Sequence, residues 1–172
     1  MFSFYKTHYN PLYNKLVELS RNIFFYEKLS LKDNFETRIN LIFVHFSLIL
    51  IVFKEKEIKF PQEIFDNIFM NIEYHIRELG YGDIAVNKKM KTLTRILYDI
   101  LLKIKKKDQN KFLINKNVLK TYFHTETMDN KQLIDGIELY FRNFFHYCFE
   151  LGNVNMLKGQ INFKYKNTNG SS

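Results

Sequence analysis

A long apolar segment, residues 39–53, constrains the fold more than any other part of the chain. Its polar residues are Asn40, His45 and Ser47, and charged residues stand just outside both of its ends. As a helix, these fifteen residues would span about 22 Å, whereas the hydrocarbon core of a membrane is about 30 Å thick. We therefore expect a central, buried helix from about Phe35 to Phe53 rather than a membrane span. A lone histidine in such a helix is typical of a hydrogen-bonded core residue and not of a metal site.

A second constraint is the turn motif at residues 77–89, RELGYGDIAVNKK. Gly80 stands where the end of a helix favours a residue that tolerates positive φ, and Asp83 offers a side-chain oxygen to cap the next helix. The plain interpretation is a well-capped joint between two helices. The alternative is a recognition surface, whose candidate partner-binding residues are Arg77, Glu78, Gly80, Gly82, Asp83, Lys88 and Lys89.

Apolar residues recur at three- and four-residue steps through most of the chain and predict about six helices. Their expected ranges are 11–26, 35–53, 61–80, 83–107, 111–124 and 130–151. Near the C-terminus, Ile161, Phe163 and Tyr165 alternate with polar residues, which predicts one short strand or extended segment. The expected fold class is all-α, a single-domain bundle of about six helices with a short extended C-terminal tail.

The expected domain boundaries follow from these ranges. The helical domain spans residues 11–152 and follows an N-terminal extension at 1–10. The short strand or extended segment, with a frayed tail, occupies residues 153–172.

The chain of 172 residues has a formal net charge of +8 and one cysteine, Cys148. A positive surface favours polyanions and anionic lipid head groups. The cysteine stands among aromatic residues, so we expect a buried, inert thiol. The sequence has no Gly-rich phosphate loop after a strand, no Cys and His residues at zinc spacing and no nucleophile elbow. We therefore expect no catalysis, no cofactor and no metal.

Two segments resemble the ubiquinol–cytochrome c chaperone family. The first, residues 12–53, carries Phe-Tyr at 25–26, Leu-Lys-Asp at 31–33, Arg38 and an apolar helix with Val-His at 44–45. The second has Phe-Asp at 65–66 and then RELGYGDIAVNKKM at 77–90. The resemblance covers about residues 11–100. The chain departs from the family pattern at Asn87, where Pro or Gly is more usual, and at 97–99, where Leu-Tyr-Asp replaces a typical Tyr-Gly-Arg.

The resemblance implies an all-α, non-catalytic chaperone that assists the assembly of ubiquinol–cytochrome c reductase, which is respiratory complex III. The implied client is the cytochrome b apoprotein. A small partner chaperone and the ribosome are further implied partners, with peripheral association at the membrane and no specific DNA binding. Tyr26, Asp33, Arg38 and His45 then join the turn motif as candidates for partner binding, although Arg38 and Asp33 could equally form an internal ion pair.

The same resemblance, together with the absence of a secretory signal at the N-terminus, sets the expected location. We expect the bacterial cytoplasm, with peripheral association at the inner membrane, or the mitochondrial matrix if the source is eukaryotic.

Three functions remain open, and the first of them is ranked ahead only because of the resemblance. A chaperone for a membrane protein predicts an exposed apolar or aromatic groove with a polar rim; the aromatic clusters at 24–26 and 144–147 are candidates for it, unless they pack in the core. A basic module that binds the ribosome or nucleic acid predicts affinity that falls steeply with salt. A helical enzyme predicts a closed pocket at which Tyr26, Arg38, His45 and His75 converge.

Overall fold

The computed structural model of the chain describes residues 10–106 and 111–166. Within these residues the helices are α1 Pro11–Ser20, α2 Phe35–Glu55, α3 Gln62–Glu78, α4 Asp83–Lys103, α5 Lys116–Tyr122, α6 Asn130–Glu150 and α7 Asn153–Leu157. A π-helical turn, Phe24–Lys28, follows α1. Two short strands, β1 Lys105–Lys106 and β2 Leu113–Ile114, form an antiparallel pair in which Lys105 faces Ile114. The predicted all-α fold is confirmed.

Helix α2 is the centre of the bundle. Every residue from Ile39 to Phe53 is buried except Leu50, which is half-buried. Helices α1, α4 and α6 pack around it. Among the described residues, α2 is the one helix long and apolar enough to cross a membrane, but 72% of its apolar window is buried inside the structure. The prediction of a buried core helix is therefore confirmed, and burial of its apolar side chains supplies much of the stability of the fold.

His45, inside α2, is a satisfied core histidine as predicted. Its Nδ1 lies 2.7 Å from the carbonyl oxygen of Leu41, and its Nε2 lies 2.9 Å from the hydroxyl of Tyr140 on α6. A carbonyl oxygen only accepts, so Nδ1 carries the proton and Nε2 accepts from the tyrosine. Complete burial lowers the pKa of His45 to about 3, because a charged imidazolium would have to form without water. The residue is neutral in the folded protein.

The helix starts follow the expected capping chemistry. The side chain of Asn10 accepts a hydrogen bond from the Tyr13 amide (3.0 Å), and that of Asn34 accepts one from the Thr37 amide (2.8 Å). Each satisfies an amide that has no partner inside its own helix. Helix α3 begins one residue after Pro61, which is its N-cap. The predicted starts of the first three helices are thus confirmed to within one residue.

The first helix is shorter than predicted. It ends at Ser20, and the side chain of Asn22 then accepts a hydrogen bond from the Phe24 amide (3.0 Å), which starts the π-helical turn. This change of helical geometry shifts the side-chain phase. Phe24 and Phe25 enter the core, while Ile23 is exposed.

The region after α4 also differs from the prediction of two long helices. The Asn115 amide donates to the carbonyl oxygen of Ile104 (2.8 Å), and its side chain donates to that of Lys103 (3.1 Å), so it closes the end of α4. The same side chain accepts from the Asn117 amide (3.1 Å) and starts α5. One asparagine thus ends one helix and begins the next. The helix predicted over 83–107 therefore ends at Lys103, residues 105–106 form β1, and Lys107 lies outside the described residues.

The C-terminal segment contains a short helix, α7, that the sequence pattern did not predict. Beyond it, residues 161–165 are extended without strand pairing, and the predicted alternation holds. Ile161 is buried, and Phe163 and Tyr165 are half-buried against aromatic rings of α6 and the π-helical turn. Gly159 has φ +69°, and a Cβ there would lie 2.4 Å from the carbonyl oxygen of Pro11, so this segment docks closely on the start of α1. The N-terminal extension at 1–9 and the tail at 167–172 lie outside the described residues.

Candidate binding groove and helical corner

An open groove of about 590 Å³ lies between α1, the first half of α2 and the second half of α3. Its floor is apolar and consists of Val17, Phe35, Ile39, Ile42 and Ile72. Its rim is polar and consists of Tyr13, Asn14, Glu18, Ser20, Arg21, Arg38 and His75. This combination is the one expected of a site that receives apolar side chains of another chain.

The groove arises from the pattern of each helix that borders it. Leu12, Leu16 and Leu19 bury one face of α1, which leaves Val17 on a second apolar face toward the groove. At the far side, the imidazole of His75 stacks on the Phe35 ring, with centroids 5.8 Å apart and planes 11° apart. The helices are thus held by core residues behind the groove, and the groove stays open.

Three of the predicted partner-binding residues come together at one end of this groove. The Arg38 guanidinium donates to both carboxylate oxygens of Asp33, at 2.7 and 3.0 Å, so the predicted ion pair is confirmed. This hydrogen bonding raises the pKa of Arg38. The hydroxyl of Tyr26 donates to the carbonyl oxygen of Ser20 (2.6 Å), and burial, followed by the Asp33 charge, raises the pKa of Tyr26. The cluster fixes the polar edge of the groove.

The helical corner is the turn between α3 and α4, residues 77–83, with the first turns of α4. Gly80 has φ +95° and ends α3 as predicted. The predicted cap, however, is wrong. Gly82 is the N-cap of α4 without a side-chain hydrogen bond, and Asp83 is the first helical residue. Its carboxylate instead accepts from the Arg77 guanidinium, which also donates to Glu73 (2.9 Å), because a charge-assisted pair competes well with a cap.

Several of the remaining corner residues are solvent-exposed. Lys88 and Glu78 are exposed, and the ammonium of Lys89 lies 4.4 Å from the centre of the Tyr81 ring, a cation–π contact. Leu79, beside Gly80, is 53% exposed. It is the residue that ends the helix, so the chain turns away before its side chain reaches the core. The corner is thus a mixed apolar and charged surface.

The groove and the corner are adjacent. Burial raises the pKa of the Tyr13 hydroxyl at the rim, and the nearby charge of Glu78 raises it further. His75 on the opposite rim precedes Arg77 by two residues on α3. The groove thus lies between the cluster of Tyr26, Asp33 and Arg38 and the helical corner. The sequence pattern did not indicate this groove.

The other predicted candidates lie in the core. His45 is fully buried, so it is out of reach of a docked partner in this conformation. Phe24, Phe25, Phe144 and Phe145 are also buried, which confirms core packing for these rings rather than an exposed groove. Cys148 is buried as predicted, and burial raises the pKa of its thiol.

The residues of the enzyme hypothesis do not meet at one pocket. Arg38 and His75 line the open groove, and Tyr26 lies beside Arg38, but His45 is sealed between α2 and α6. Within the described ranges, no group of three or more His, Cys, Asp or Glu side chains could hold a metal ion. The closed pocket that the enzyme hypothesis predicts at these four residues is therefore not formed.

The structure thus defines an all-α domain with an open apolar groove and a polar rim, a combination suited to receiving another chain. Comparison with protein families gives the particular family: the model described as Ubiquinol-cytochrome C chaperone matches residues 27–146. The chain belongs to the ubiquinol–cytochrome c chaperone family, and its general role is that of a chaperone for ubiquinol–cytochrome c reductase. Comparisons with curated proteins and with solved structures found no match.

Proposed function

We propose that this protein binds newly made cytochrome b in the groove and holds it while ubiquinol–cytochrome c reductase assembles. Two observations support the proposal. The chain belongs to the chaperone family of that enzyme. Its groove offers an apolar floor to a client whose membrane helices expose apolar side chains before insertion. The groove is the single observation that carries the assignment of the site.

The size of the groove fits part of a helix rather than a whole one. Its volume of about 590 Å³ accommodates a few large side chains, and an apolar stripe on a client helix supplies such side chains at three- and four-residue steps. Val17 and Phe35, which are half-buried, would contact their tips, while Asn14 and Arg21 on the rim would meet polar groups beside the stripe. Arg21 makes no ion pair within the described part of the chain, so it remains available for a client carboxylate.

The rest of the proposal concerns partners and location. We assign no catalytic step to the protein. The small partner chaperone and the ribosome are its further proposed partners, and its proposed location is the bacterial cytoplasm, peripherally at the inner membrane. A net charge of +8 supports attraction to ribosomal RNA or to an anionic membrane face.

The test is a pull-down of the tagged protein from the membrane and ribosome fraction at low and high salt, followed by mass spectrometry. We expect cytochrome b to remain bound at high salt, because salt screens charge contacts but does not weaken apolar ones. Two variants test the groove: Val17→Glu places a carboxylate in the floor, and Asn14→Trp covers the mouth from an exposed position. Val154→Glu is the matched control, since Val154 is an exposed valine on α7 that does not line the groove.

Each outcome decides between client binding and the basic-module alternative. Loss of cytochrome b in both groove variants, with retention in the control, supports the proposal. Retention of ribosomal proteins and RNA alone, removed by salt, would instead support a basic ribosome-binding or nucleic-acid-binding module. Asn14→Trp keeps the test sound if Val17→Glu fails to fold, because its side chain does not enter the core.

A further inference from the structure

The outward face of α4 carries a stripe of exposed residues. The stripe consists of Ile84, Lys88, Lys91, Arg95, Tyr98 and Leu102. At 3.6 residues per turn, all six lie within about 40° of one direction around the helix axis. The buried residues Val86, Leu93 and Leu97 lie on the opposite side, against the bundle. No residue of α4 lines the groove.

The two ends of the stripe are apolar and strongly exposed. Ile84 is 87% exposed at the start of α4, and Leu102 is 78% exposed near its end. With a rise of 1.5 Å per residue, they lie about 27 Å apart along the helix. Tyr98, 46% exposed, stands one turn before Leu102. A single exposed apolar side chain is ordinary on a protein surface, but these three lie on the same face of one helix.

The middle of the stripe is cationic. Lys88, Lys91 and Arg95 are exposed, and they form no ion pair with any other described residue. The nearest carboxylate around the helix, Asp99, lies to one side and is paired with Lys103 and with the Tyr122 hydroxyl. The stripe thus presents positive charge without internal neutralisation.

We propose that this face of α4 lies flat on an anionic lipid surface. Ile84 and Leu102 enter the head-group region, Tyr98 lies at the interface, and the three cations between them contact lipid phosphates. A lipid surface fits better than nucleic acid, because phosphate contact alone would leave the exposed Ile84 and Leu102 without a role. A lipid surface also fits the stripe better than a partner protein with a groove does, because a flat surface can contact both apolar ends of the helix at the same time.

Two features next to the stripe agree with this orientation. Leu79 and Tyr81 are exposed in the turn that leads into Ile84, so the apolar end of the stripe extends into the helical corner. Arg77 pairs with both Glu73 and Asp83, which reduces the negative charge at that end; Glu78 remains as an exposed carboxylate there. The inference deepens the peripheral location given under the proposed function and is independent of which client the groove holds.

The test uses the full chain and lipid vesicles. Vesicles of phosphatidylcholine alone are compared with vesicles that also contain phosphatidylglycerol, and bound protein is measured by co-sedimentation. We expect binding to the anionic vesicles. The double variant Lys91→Gln/Arg95→Gln should bind about 25-fold more weakly, because each cation near an anionic surface contributes a factor of about five to partitioning. The matched control is Lys120→Gln/Lys131→Gln, which removes the same charge from exposed positions elsewhere.

Depth of insertion is tested separately. The chain contains no tryptophan, so a single tryptophan is an unambiguous reporter. Fluorescence of the Ile84→Trp variant should shift to the blue and be quenched by brominated lipid when anionic vesicles are added, whereas Val154→Trp should change little. Three results would overturn the proposal. They are equally weakened vesicle binding in the two double charge variants, an equal fluorescence shift in the two tryptophan variants, and binding to ribosomal RNA with none to vesicles. The stripe variants should still retain cytochrome b when the pull-down is done in detergent. Vesicle binding by the stripe and client binding by the groove are then tested independently.

Discussion

The buried histidine of α2 gives this fold a specific response to mild acid. In the folded chain the pKa of His45 is about 3, whereas in the unfolded chain it is about 6.5. Between these values the unfolded chain binds a proton that the folded chain does not, so stability falls as the pH falls. The contribution of His45 is fully present above about pH 6.5 and is lost progressively toward about pH 3.

The size of the effect follows from the same two values. Protonation of the unfolded chain at pH 5 lowers the free energy of unfolding by about 2 kcal/mol relative to pH 7, since each pH unit below 6.5 costs about 1.4 kcal/mol. Ion pairing lowers the pKa of Asp99 and of Asp135, so these carboxylates titrate below pH 5 and do not contribute to the change in stability between pH 7 and pH 5. The loss of stability between pH 7 and pH 5 therefore reports on His45 without a contribution from these two pairs.

The assay is urea unfolding followed by circular dichroism at both pH values. We expect the wild-type chain to lose about 2 kcal/mol between them and the His45→Gln variant to lose much less, whatever its stability at pH 7. The control is His124→Gln, at an exposed histidine, which should behave like the wild type. An unchanged pH dependence in His45→Gln would refute the reasoning, because it would mean that the folded chain can protonate this residue.

Three further substitutions test the packing and capping contacts by the same urea unfolding assay. Tyr140→Phe removes the donor to His45 Nε2 and should cost about 1–2 kcal/mol; no loss would mean that this hydrogen bond is not made. Gly159→Ala should cost about 1–3 kcal/mol, because its φ is positive and a Cβ would strike the start of α1; Gly152→Ala, where there is room, is the control. Asn10→Ala removes the N-cap of α1 and should cost about 1 kcal/mol, and an unchanged midpoint would contradict the cap.

The helices that the sequence predicted well are those whose limits depend on local chemistry. The caps at Asn10 and Asn34 and the positive φ of Gly80 act within a few residues, so the pattern of residues alone indicates them. The buried character of α2 follows from composition in the same way. These features required no knowledge of neighbouring elements.

The features that the sequence did not predict depend on contacts between distant residues. Asn115 ends α4 only because the chain returns to Lys103 after a connection that periodicity does not reveal. Asp83 is not a cap because its carboxylate forms an ion pair with Arg77 of the preceding helix. The groove needs three helices at once, and Val17, its floor residue on α1, has no local signal that separates it from a core position. Individual rim residues such as Arg38 were predictable, but the groove was not.

The central claim, that the groove holds cytochrome b, is tested most directly by site-specific photo-crosslinking. A benzophenone amino acid replaces Asn14 on the groove rim in one variant and Val154 on α7 in another, and each is irradiated during synthesis of cytochrome b in the native membrane. We expect a crosslink to cytochrome b from the groove position and none from α7. Crosslinks of equal yield from both positions, or none from the groove while cytochrome b still co-purifies, would contradict the claim.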